Sequence, residues 1–469
     1  MRNNGWGRVV ARLTLTALAM VAATSPRALA QTAEEYYQEI RVGDRIYVFS
    51  TENRYTTYQQ SKDMGISITR LGYGPNGETV TFEDAKAIEA FNRKYSMTEA
   101  PPEEIKTPEI KLPFGVQYRM PGLRLSFPKA EVNLSSRMQI RYTHEMFDDI
   151  RNPPATLPTS LEDKDSFRIR RMRVKLDGWI YARELTYELQ WDLADTSGNQ
   201  LQDANIDYDL TGGTRAFRIK AGQFKAPFSQ QQLTSSGNQQ LVDRSLLDAF
   251  FVPGRQLGLQ LWGQIGPTAY PDFVDWRVGV FNGNGRTSTA NDNDEFQYVT
   301  RVMVSPWGSV GYSESNLEAY DMRLSLAGEY NNNDTIIQPA TGAPTGTEVE
   351  TFGAGFVLKA FKALFLHGQY YSGQSESATG VETDRDGWMI QGGWLLTPKW
   401  EIAGRFAELD PNTDTDNNDQ TEWRGGISWY MNKHNWKIQA DYGETKNEAA
   451  AATTNRRLKE LRVQALLIF

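Results

Sequence analysis

The feature that most constrains this chain is an alternation of apolar and polar side chains, which recurs in segments of about ten to fourteen residues from residue 115 onward. In the last segment, Leu458–Phe469, Leu461 and Val463 share an apolar face, whereas Glu460 and Arg462 lie on the opposite face. Strands of soluble proteins usually contain about five or six residues, whereas a strand that crosses a bilayer needs about ten. The pattern therefore predicts transmembrane β-strands rather than those of a soluble sandwich.

The connections between these segments alternate in length along the chain. Tight turns such as Ala182–Arg183 and Pro398–Lys399 alternate with long connections such as Pro227–Arg255 and Pro411–Gln420. Outer-membrane barrels show this asymmetry, because their periplasmic turns are short and their outer loops are long. We therefore predict an all-β fold over residues 115–469, a transmembrane antiparallel β-barrel of about 16 strands, and 14 or 18 strands stay open as alternatives. The predicted strands begin near Glu131, Phe167, Glu184, Leu201, Arg215, Gln256, Asp272, Phe296, Ala319, Val349, Ala363, Asp386, Trp400, Thr421, Trp436 and Leu458.

The first thirty residues have the three parts of a secretory signal peptide. Arg2 and Arg8 contribute to a basic start, an apolar stretch covers residues 13–23, and Ala28-Leu29-Ala30 offers a cleavage site between small residues. An ordinary N-terminal helix is the alternative. We predict a signal peptide over residues 1–30 and therefore export of the chain from the cytoplasm.

Residues 31–99 have a different pattern from the rest of the chain. The stretches Arg45–Ser50 and Gly65–Leu71 alternate like strands, and apolar residues recur every three positions from Phe82 to Phe91, as on one face of a helix. This pattern predicts a small α+β periplasmic module with one helix. The following residues 100–114 are rich in proline, which interrupts helices and central strands, so that we predict a linker there.

The composition excludes several classes of function. The chain has no cysteine, which rules out disulfides, thiolate metal sites and a cysteine nucleophile. Its histidines, His144, His367 and His434, are far apart in the sequence, so that a histidine-rich zinc site and a histidine-based catalytic group are not expected. The mean hydropathy is −0.55, which argues against a bundle of transmembrane helices. We expect no enzymatic activity, no cofactor, no metal and no nucleic-acid partner.

Three blocks of sequence resemble the phosphate-selective porins of the O/P type from Gram-negative outer membranes. The first block runs from Phe167 to Leu193, the second from Gly222 to Arg244, and the third from Gly425 to Asn432, together with the terminal strand that ends in Phe469. The blocks span most of residues 131–469. The resemblance implies a passive diffusion channel for small hydrophilic solutes, surrounded by outer-membrane lipid.

The resemblance also implies roles for particular residues. The connection Pro227–Arg255 corresponds to the family's third loop, which folds into the lumen and narrows the pore. Phe469 belongs, by the same likeness, to the signal that the barrel-assembly machinery reads, and family members form homotrimers. In members known for phosphate, a lysine follows the Thr-Ser-Ser of this loop; here that position is Gly237, so that we expect a general anion preference without tight phosphate binding. The constriction-loop residues expected at or near its ends are Lys225, Asp243, Arg244 and Arg255.

The strand pattern also indicates which charged side chains face the lumen. A charge on the lipid face costs about 2–4 kcal/mol at the bilayer midplane, so that charged residues within the strands are expected to point inward. Rings of basic residues in a pore favour anions, but a lumen cross-linked by salt bridges for stability is an equally open interpretation. The inward basic residues that we expect to line an anion path are Arg137, Arg141, Arg171, Arg173, Lys175, Arg218, Lys220 and Arg462.

A structural or docking function is the second hypothesis for the whole chain. In that case the barrel would be held at a periplasmic partner through the module over residues 31–99. The sequence alone does not separate this role from that of an anion channel.

Overall fold

The computed structural model describes the chain in several stretches, and they fall into two compact units, one up to Lys106 and one from Thr107. The predicted signal peptide and most of the predicted linker lie outside the described residues and stay predictions. No helix in the described stretches is long and apolar enough to cross a membrane. The described residues are 36–65, 67–70, 72–97, 111–112, 116–118, 122–147, 163–286, 290–337, 343–448 and 456–469.

The N-terminal unit is an α+β module with a four-stranded sheet. Its strands are ordered β1-β2-β4-β3, and β2 and β4 are parallel. Ile46, Val48, Phe82 and Phe91 are buried in its core, because alternate strand residues meet the apolar face of the second helix. The elements are β1 Gln38–Val42, β2 Arg45–Phe49, α1 Glu52–Ser61, β3 Ile68–Arg70, β4 Thr79–Phe82 and α2 Ala85–Tyr95.

The prediction of a single helix in this module is wrong, because α1 is a second one. Helix α1 buries only Tyr58 and has no apolar stripe, which is why a periodicity criterion misses it. Its start is set locally, since the Thr51 side chain accepts a hydrogen bond from the backbone N–H of Arg54. Helix α2 has the expected apolar face, and Asp84 caps it by accepting from Ala87 N at 2.9 Å.

The C-terminal unit is a closed antiparallel β-barrel, which confirms the predicted fold and the strand number of 16. Each strand pairs with the next in the chain, and the last strand closes on the first, with Ile468 opposite Arg137. Three short strands, β5 Lys111–Leu112, β6 Val116–Tyr118 and β7 Leu123–Phe127, precede the barrel, and β7 pairs with its first strand. The barrel strands are β8 Ala130–Phe147, β9 Lys164–Ile180, β10 Ala182–Asp192, β11 Leu201–Asp209, β12 Arg218–Lys225, β13 Arg255–Ile265, β14 Val274–Phe281, β15 Gln297–Val304, β16 Met322–Asp334, β17 Thr347–Ala360, β18 Leu364–Ser377, β19 Glu382–Thr397, β20 Trp400–Asp410, β21 Gln420–Asn432, β22 Trp436–Asn447 and β23 Arg456–Ile468.

The two faces of each strand differ as the alternation predicts. Along β23, Leu461 and Val463 are exposed on the outside, whereas Arg462 and Gln464 are buried on the inside. Successive side chains of a strand point to opposite faces, so that each charged residue between two apolar ones is directed into the lumen. The barrel therefore has an apolar outer surface and a polar, charged interior.

Aromatic side chains form part of two girdles on the outer surface, along strands β19 to β22. Near the short-turn end, exposed Trp400 and Trp429 stack with ring centroids 5.5 Å apart, and Trp436 lies on the next strand. Toward the long-loop end lie exposed Trp388 and Trp423. Trp423 and Trp429 are six residues apart on β21, which is about 20 Å along a strand. Such girdles flank the apolar band of outer-membrane barrels, which is about 25 Å tall.

Candidate anion path

The connection between β12 and β13 folds into the barrel, and we call residues 226–254 the third loop. It carries two short helices, α3 Gln230–Leu233 and α4 Leu246–Phe251. Phe228 is fully buried and stacks on Tyr371 of the barrel wall, with ring centroids 5.5 Å apart. Full burial of such a side chain stabilises the folded state by about 1.5–3 kcal/mol relative to leaving it exposed. The loop is thus fixed inside the lumen by apolar contacts.

A carboxylate of the third loop is held by two arginines of the barrel wall. Asp243 accepts hydrogen bonds from Arg141 Nη1 at 2.6 Å and Arg141 Nη2 at 3.0 Å, and Arg462 Nη1 lies 3.4 Å away. Burial alone would raise the pKa of the Asp243 carboxyl, but Arg141 and Arg462 outweigh burial and hold this pKa well below its usual range. Asp243 is therefore ionised at neutral pH and ties the loop to strands β8 and β23.

A second arginine contact supports the same part of the loop from neighbouring strands of the wall. Arg405 on β20 donates to the backbone carbonyls of Asp243 at 2.9 Å and Arg244 at 3.0 Å. Glu422 on β21 accepts from the backbone N–H of Leu246 at 2.9 Å, at the start of α4. The loop backbone is therefore held along one continuous part of the wall, which runs from β20 and β21 to β23 and β8.

Beside the third loop a cavity of about 360 Å³ remains open along strands β8 to β14, and we call it the basic cavity. Phe224, Leu233 and Ile468 add a small apolar part to its lining. Seven basic side chains and two acidic ones, Glu188 and Asp203, surround it. Clefts lined by charge of one sign between low-dielectric walls concentrate counter-ions. The basic residues of the lining are Arg137, Arg173, Lys175, Lys220, Lys225, Arg255 and Arg277.

Some of these cations are neutralised by neighbouring carboxylates. Arg255 donates to both oxygens of Asp203, at 3.1 and 2.8 Å. Lys175 lies 3.4 Å from Glu188. Arg173 lies 2.8 Å from Asp192, whose carboxylate is not part of the lining. These pairs fix the direction of the basic side chains and reduce the net charge that they contribute.

Three other cations of the lining, Arg137, Lys220 and Lys225, have no carboxylate within salt-bridge distance among the residues that the structure describes. Arg137 donates to Ser235 Oγ at 2.6 Å, and Lys225 donates to the carbonyl oxygens of Leu233 and Thr234, both at 3.3 Å. Lys220 Nζ lies 4.7 Å from the centroid of the Phe224 ring. Arg137, Lys220 and Lys225 therefore leave positive charge uncompensated on the lining of one cavity.

The sequence matches a known protein family, in agreement with the closed barrel and its inward-folded loop. A family model described as phosphate-selective porin O and P matches residues 155–469. The chain belongs to this porin family. The porin lies in the outer membrane of a Gram-negative bacterium and forms a passive channel, and its family and fold are those of a channel rather than of an enzyme.

Solved structures of other outer-membrane proteins share the fold of the porin. The outer membrane channel DcaP of Acinetobacter baumannii matches at 12% identity with a TM-score of 0.52, over 73% of this chain and 99% of that one. The anion-selective porin from Comamonas acidovorans matches at 12% identity with a TM-score of 0.50, over 73% and 100%. At this identity the likeness shows the fold. A comparison with curated proteins found none whose sequence matches significantly.

The structure places most of the predicted basic residues of the porin in two groups. One group meets the third loop: Arg141 and Arg462 hold Asp243, and Arg171 lies 4.0 Å from the same carboxylate. The other group surrounds the basic cavity. The predicted residues in this second group are Arg137, Arg173, Lys175, Lys220, Lys225 and Arg255.

The other predicted residues lie apart from the cavity lining. Arg218 pairs with Asp207 at 2.9 Å. Arg244 donates to the carbonyl of Gln231 at 2.8 Å, inside the third loop. The backbone of the terminal Phe469 pairs with Ser136 of β8, with N–O distances of 2.6 and 2.9 Å, which completes the closure of the barrel.

One basic residue of the lining is absent from the predicted set of site residues. Arg277 on β14 donates to both oxygens of Asp275, at 2.7 and 3.0 Å, and faces the cavity. Its inward parity was readable from the sequence, because Trp276 and Val278 flank it. The alternation along a strand shows whether a side chain points inward, but not how far along the barrel axis it lies. It therefore does not show which inward cations share one cavity. Among the described residues, no group of three or more His, Cys, Asp or Glu side chains could hold a metal ion.

Proposed function

We propose that this porin conducts small anions in preference to cations, through the basic cavity. The observation that carries the proposal is a set of three cations, Arg137, Lys220 and Lys225, that have no carboxylate within salt-bridge distance in the described parts of the chain. Buried charges are normally paired, and their field is only weakly screened inside a narrow, low-dielectric passage. A permeating anion is the counter-charge that these residues lack, and a cation entering the same cavity is repelled.

We further propose that phosphate receives no special site in this passage. The position at which phosphate-binding family members carry a lysine is Gly237, directly beside Arg137. A Cβ added at Gly237 would lie 3.0 Å from Arg137 Nη1, so that a lysine here would place a second cation at the same point. Without it, the local charge at the loop is that of Arg137, which supports general anion passage rather than tight phosphate binding.

The assembly of the porin is part of the same proposal. We propose a homotrimer, as family members form, with Phe469 in the signal read by the barrel-assembly machinery. The N-terminal module, which has its own buried core around Phe82 and Phe91, is the candidate for contact with a periplasmic partner. Electrophoresis of unheated and heated protein, with and without residues 31–99, tests the trimer and the contribution of the module.

The decisive measurement is the reversal potential of the reconstituted porin in asymmetric KCl. For the wild type we expect a reversal potential whose sign corresponds to anion selectivity. For Lys220→Gln we expect a smaller reversal potential, because this change removes an uncompensated cation from the cavity lining. Lys399→Gln is the matched control, since Lys399 is an exposed lysine in a turn. Cation selectivity of the wild type, or an equal effect of both substitutions, would contradict the proposal.

A further inference from the structure

The connection between β15 and β16 is unusually long for the short-turn end of the barrel, and we call residues 305–321 the inner turn. It lies at the same end as the short β17–β18 and β19–β20 turns. Its middle is nevertheless buried: Glu314 is 3% exposed, and Ser315 and Asn316 are fully buried. Val310 packs against Val357 and Phe365 of the wall. The inner turn therefore folds into the lumen from the end opposite to the third loop.

The inner turn and the third loop meet inside the barrel. The backbone N–H of Glu314 donates to the carbonyl of Asn238 at 2.9 Å, and the N–H of Gln240 donates to Glu314 Oε2 at 2.7 Å. A third contact joins Gln230 Nε2 to the carbonyl of Gly311 at 2.9 Å. The third loop is thus held at its tip by a segment that enters from the other side.

The same carboxylate also joins both segments to the barrel wall. Gln391 Nε2 on β19 donates to Glu314 Oε2 at 2.9 Å. His434 Nε2 lies 2.9 Å from the carbonyl oxygen of Glu314. Next to it, the Ser315 hydroxyl donates to Glu401 Oε2 at 2.6 Å, and Gln240 Nε2 donates to Glu401 Oε1 at 2.6 Å. Glu314 and Ser315 are therefore the centre of a buried polar network that reaches from the third loop to β19 and β20.

We infer that the inner turn is a second constriction element, and that Glu314 is a positioning residue that holds the third loop against the wall of strands β19 to β22. The network fills that side of the lumen, whereas the basic cavity lies on the side of β8 to β14. Conduction is thereby confined to the basic cavity. The change in selectivity that we expect from this inference rests on the proposed anion path. The expected change in conductance requires only that the porin forms a channel.

The physical reason for a large effect lies in the burial of the network. Removing one partner from a buried hydrogen-bond network leaves the other polar groups unsatisfied, and water enters to solvate them. Loss of the Glu314 side chain would leave Gln391 and the N–H of Gln240 without this acceptor. The tip of the third loop would then move, and a second, wetter path would open beside the basic cavity.

Single-channel recording of three variants tests this inference. For Glu314→Ala we expect a higher conductance, more current noise and, if the wild type is anion-selective, a reversal potential closer to zero. Glu314→Gln keeps an acceptor oxygen for Gln240 N and Gln391 Nε2, so that we expect it to restore the wild-type conductance. Asp321→Ala is the control, because it removes an 86% exposed carboxylate that pairs only with Lys362 in the described structure.

A cross-linking experiment keeps the inference testable if Glu314→Ala fails to fold. The backbone hydrogen bond from Glu314 N to the Asn238 carbonyl, at 2.9 Å, places these two residues next to each other, and a disulfide joins residues whose Cα atoms are about 4.4–6.8 Å apart. The chain has no cysteine, so that Asn238→Cys combined with Glu314→Cys forms the single possible pair. We expect a noisy, highly conducting channel when this variant is reduced and wild-type currents when it is oxidised.

The outcomes are separable. Wild-type conductance and noise in folded Glu314→Ala, or equal currents in the oxidised and reduced double variant, would overturn the inference. A similar rise in Asp321→Ala would also overturn it, since the effect would then not depend on the third loop. A wild type without anion selectivity would contradict the proposed function while leaving the conductance comparison valid.

Discussion

Arg141 on the first barrel strand and Asp243 in the third loop form a two-point ion pair, with N–O distances of 2.6 and 3.0 Å, although they are 102 residues apart in the sequence. Arg141 is 1% exposed, so that its guanidinium depends on this carboxylate, on Gln464 and on the Val242 carbonyl for its hydrogen bonds. Charge-assisted pairs of this geometry are among the stronger polar contacts. The position of the third loop therefore depends on the barrel seam between β8 and β23.

We predict that Asp243→Asn destabilises the porin and loosens the third loop. Arg141 and Arg462 would lose their shared carboxylate in the loop. Breaking a fully buried ion pair costs about 3–5 kcal/mol, and because the Asp243 side chain is 24% exposed we expect a smaller loss. Unfolding in urea followed by tryptophan fluorescence measures the loss, and single-channel noise reports the loop. Asp416→Asn, an exposed change in the long β20–β21 loop, serves as the control. Equal stability of Asp243→Asn and the wild type would show that the pair does not hold the loop.

The contribution of this pair should depend on pH in a defined direction. The folded-state pKa of Asp243 is lowered, so that its stabilisation is complete above the unfolded pKa of about 3.9 and is lost as the pH falls below it. The difference in unfolding free energy between the wild type and Asp243→Asn should thus be constant at neutral pH and shrink below about pH 4. A difference that grows on acidification would contradict this assignment.

Most of the barrel was predictable from the sequence because lipid imposes a strict rule on outward-facing residues. Even β11, whose outer face is weakly apolar, begins at the predicted Leu201. The distribution of the lumen charges was less accessible. Arg141 and Arg137 point the same way and both bind the third loop, yet Arg141 pairs with Asp243 away from the basic cavity, whereas Arg137 donates to Ser235 and lines the cavity. Parity gives the direction of a side chain, whereas height and the path of a loop are set by contacts between residues far apart in the sequence.

The inner turn shows the same limit of prediction from the sequence pattern. The sequence contains a long connection after β15, but its polar residues, including Glu314, are those of an ordinary exposed turn. Their burial follows from partners on the third loop and on β19, such as Gln240 and Gln391. The pattern along one segment gives no information on these partners. That the inner turn folds into the lumen is therefore visible only in the folded chain.

A lipid-facing substitution tests the orientation of the strands. Val463→Arg on β23 should impair insertion into the membrane, because Val463 is exposed on the outer face and a charge there costs about 2–4 kcal/mol near the midplane. Val463→Leu should assemble normally. The heat-modifiable electrophoretic shift of the folded barrel measures assembly in both. Normal folding of Val463→Arg would indicate that the two faces of the strand are exchanged, as after a one-residue slip.

The division of the basic residues predicts different effects on selectivity. Arg137→Gln removes an uncompensated cation from the basic cavity, whereas Arg171 lies outside its lining and donates to Gln139 at 3.0 Å. We expect Arg137→Gln to shift the reversal potential in KCl toward cations, and more so at low salt, because screening is then weaker. Arg171→Gln should shift it less. An equal shift in both variants would mean that the whole basic wall, and not the cavity, sets selectivity.

Introducing the missing lysine is the sharpest test of the phosphate interpretation. Gly237 lies against Arg137 and Ile468, and a Cβ there would be 3.0 Å from Arg137 Nη1 and 3.3 Å from Ile468 Cδ1, so that a side chain requires a small movement of flexible neighbours. Gly237→Lys would add a cation beside Arg137 and should make the chloride current sensitive to block by phosphate, since two adjacent cations bind a multivalent anion more tightly than one. Gly237→Ala controls for the added volume and should stay insensitive.

The wild type decides how this comparison is interpreted. If millimolar phosphate leaves the wild-type chloride current unchanged and blocks only Gly237→Lys, the single position accounts for the difference in phosphate affinity. Block of the wild type at similar concentrations would mean that another cation of the lining, Lys225 or Lys220, already supplies the second charge. In that case either Lys225→Gln, which removes the donor to the carbonyls of Leu233 and Thr234, or Lys220→Gln should abolish the block in the wild type.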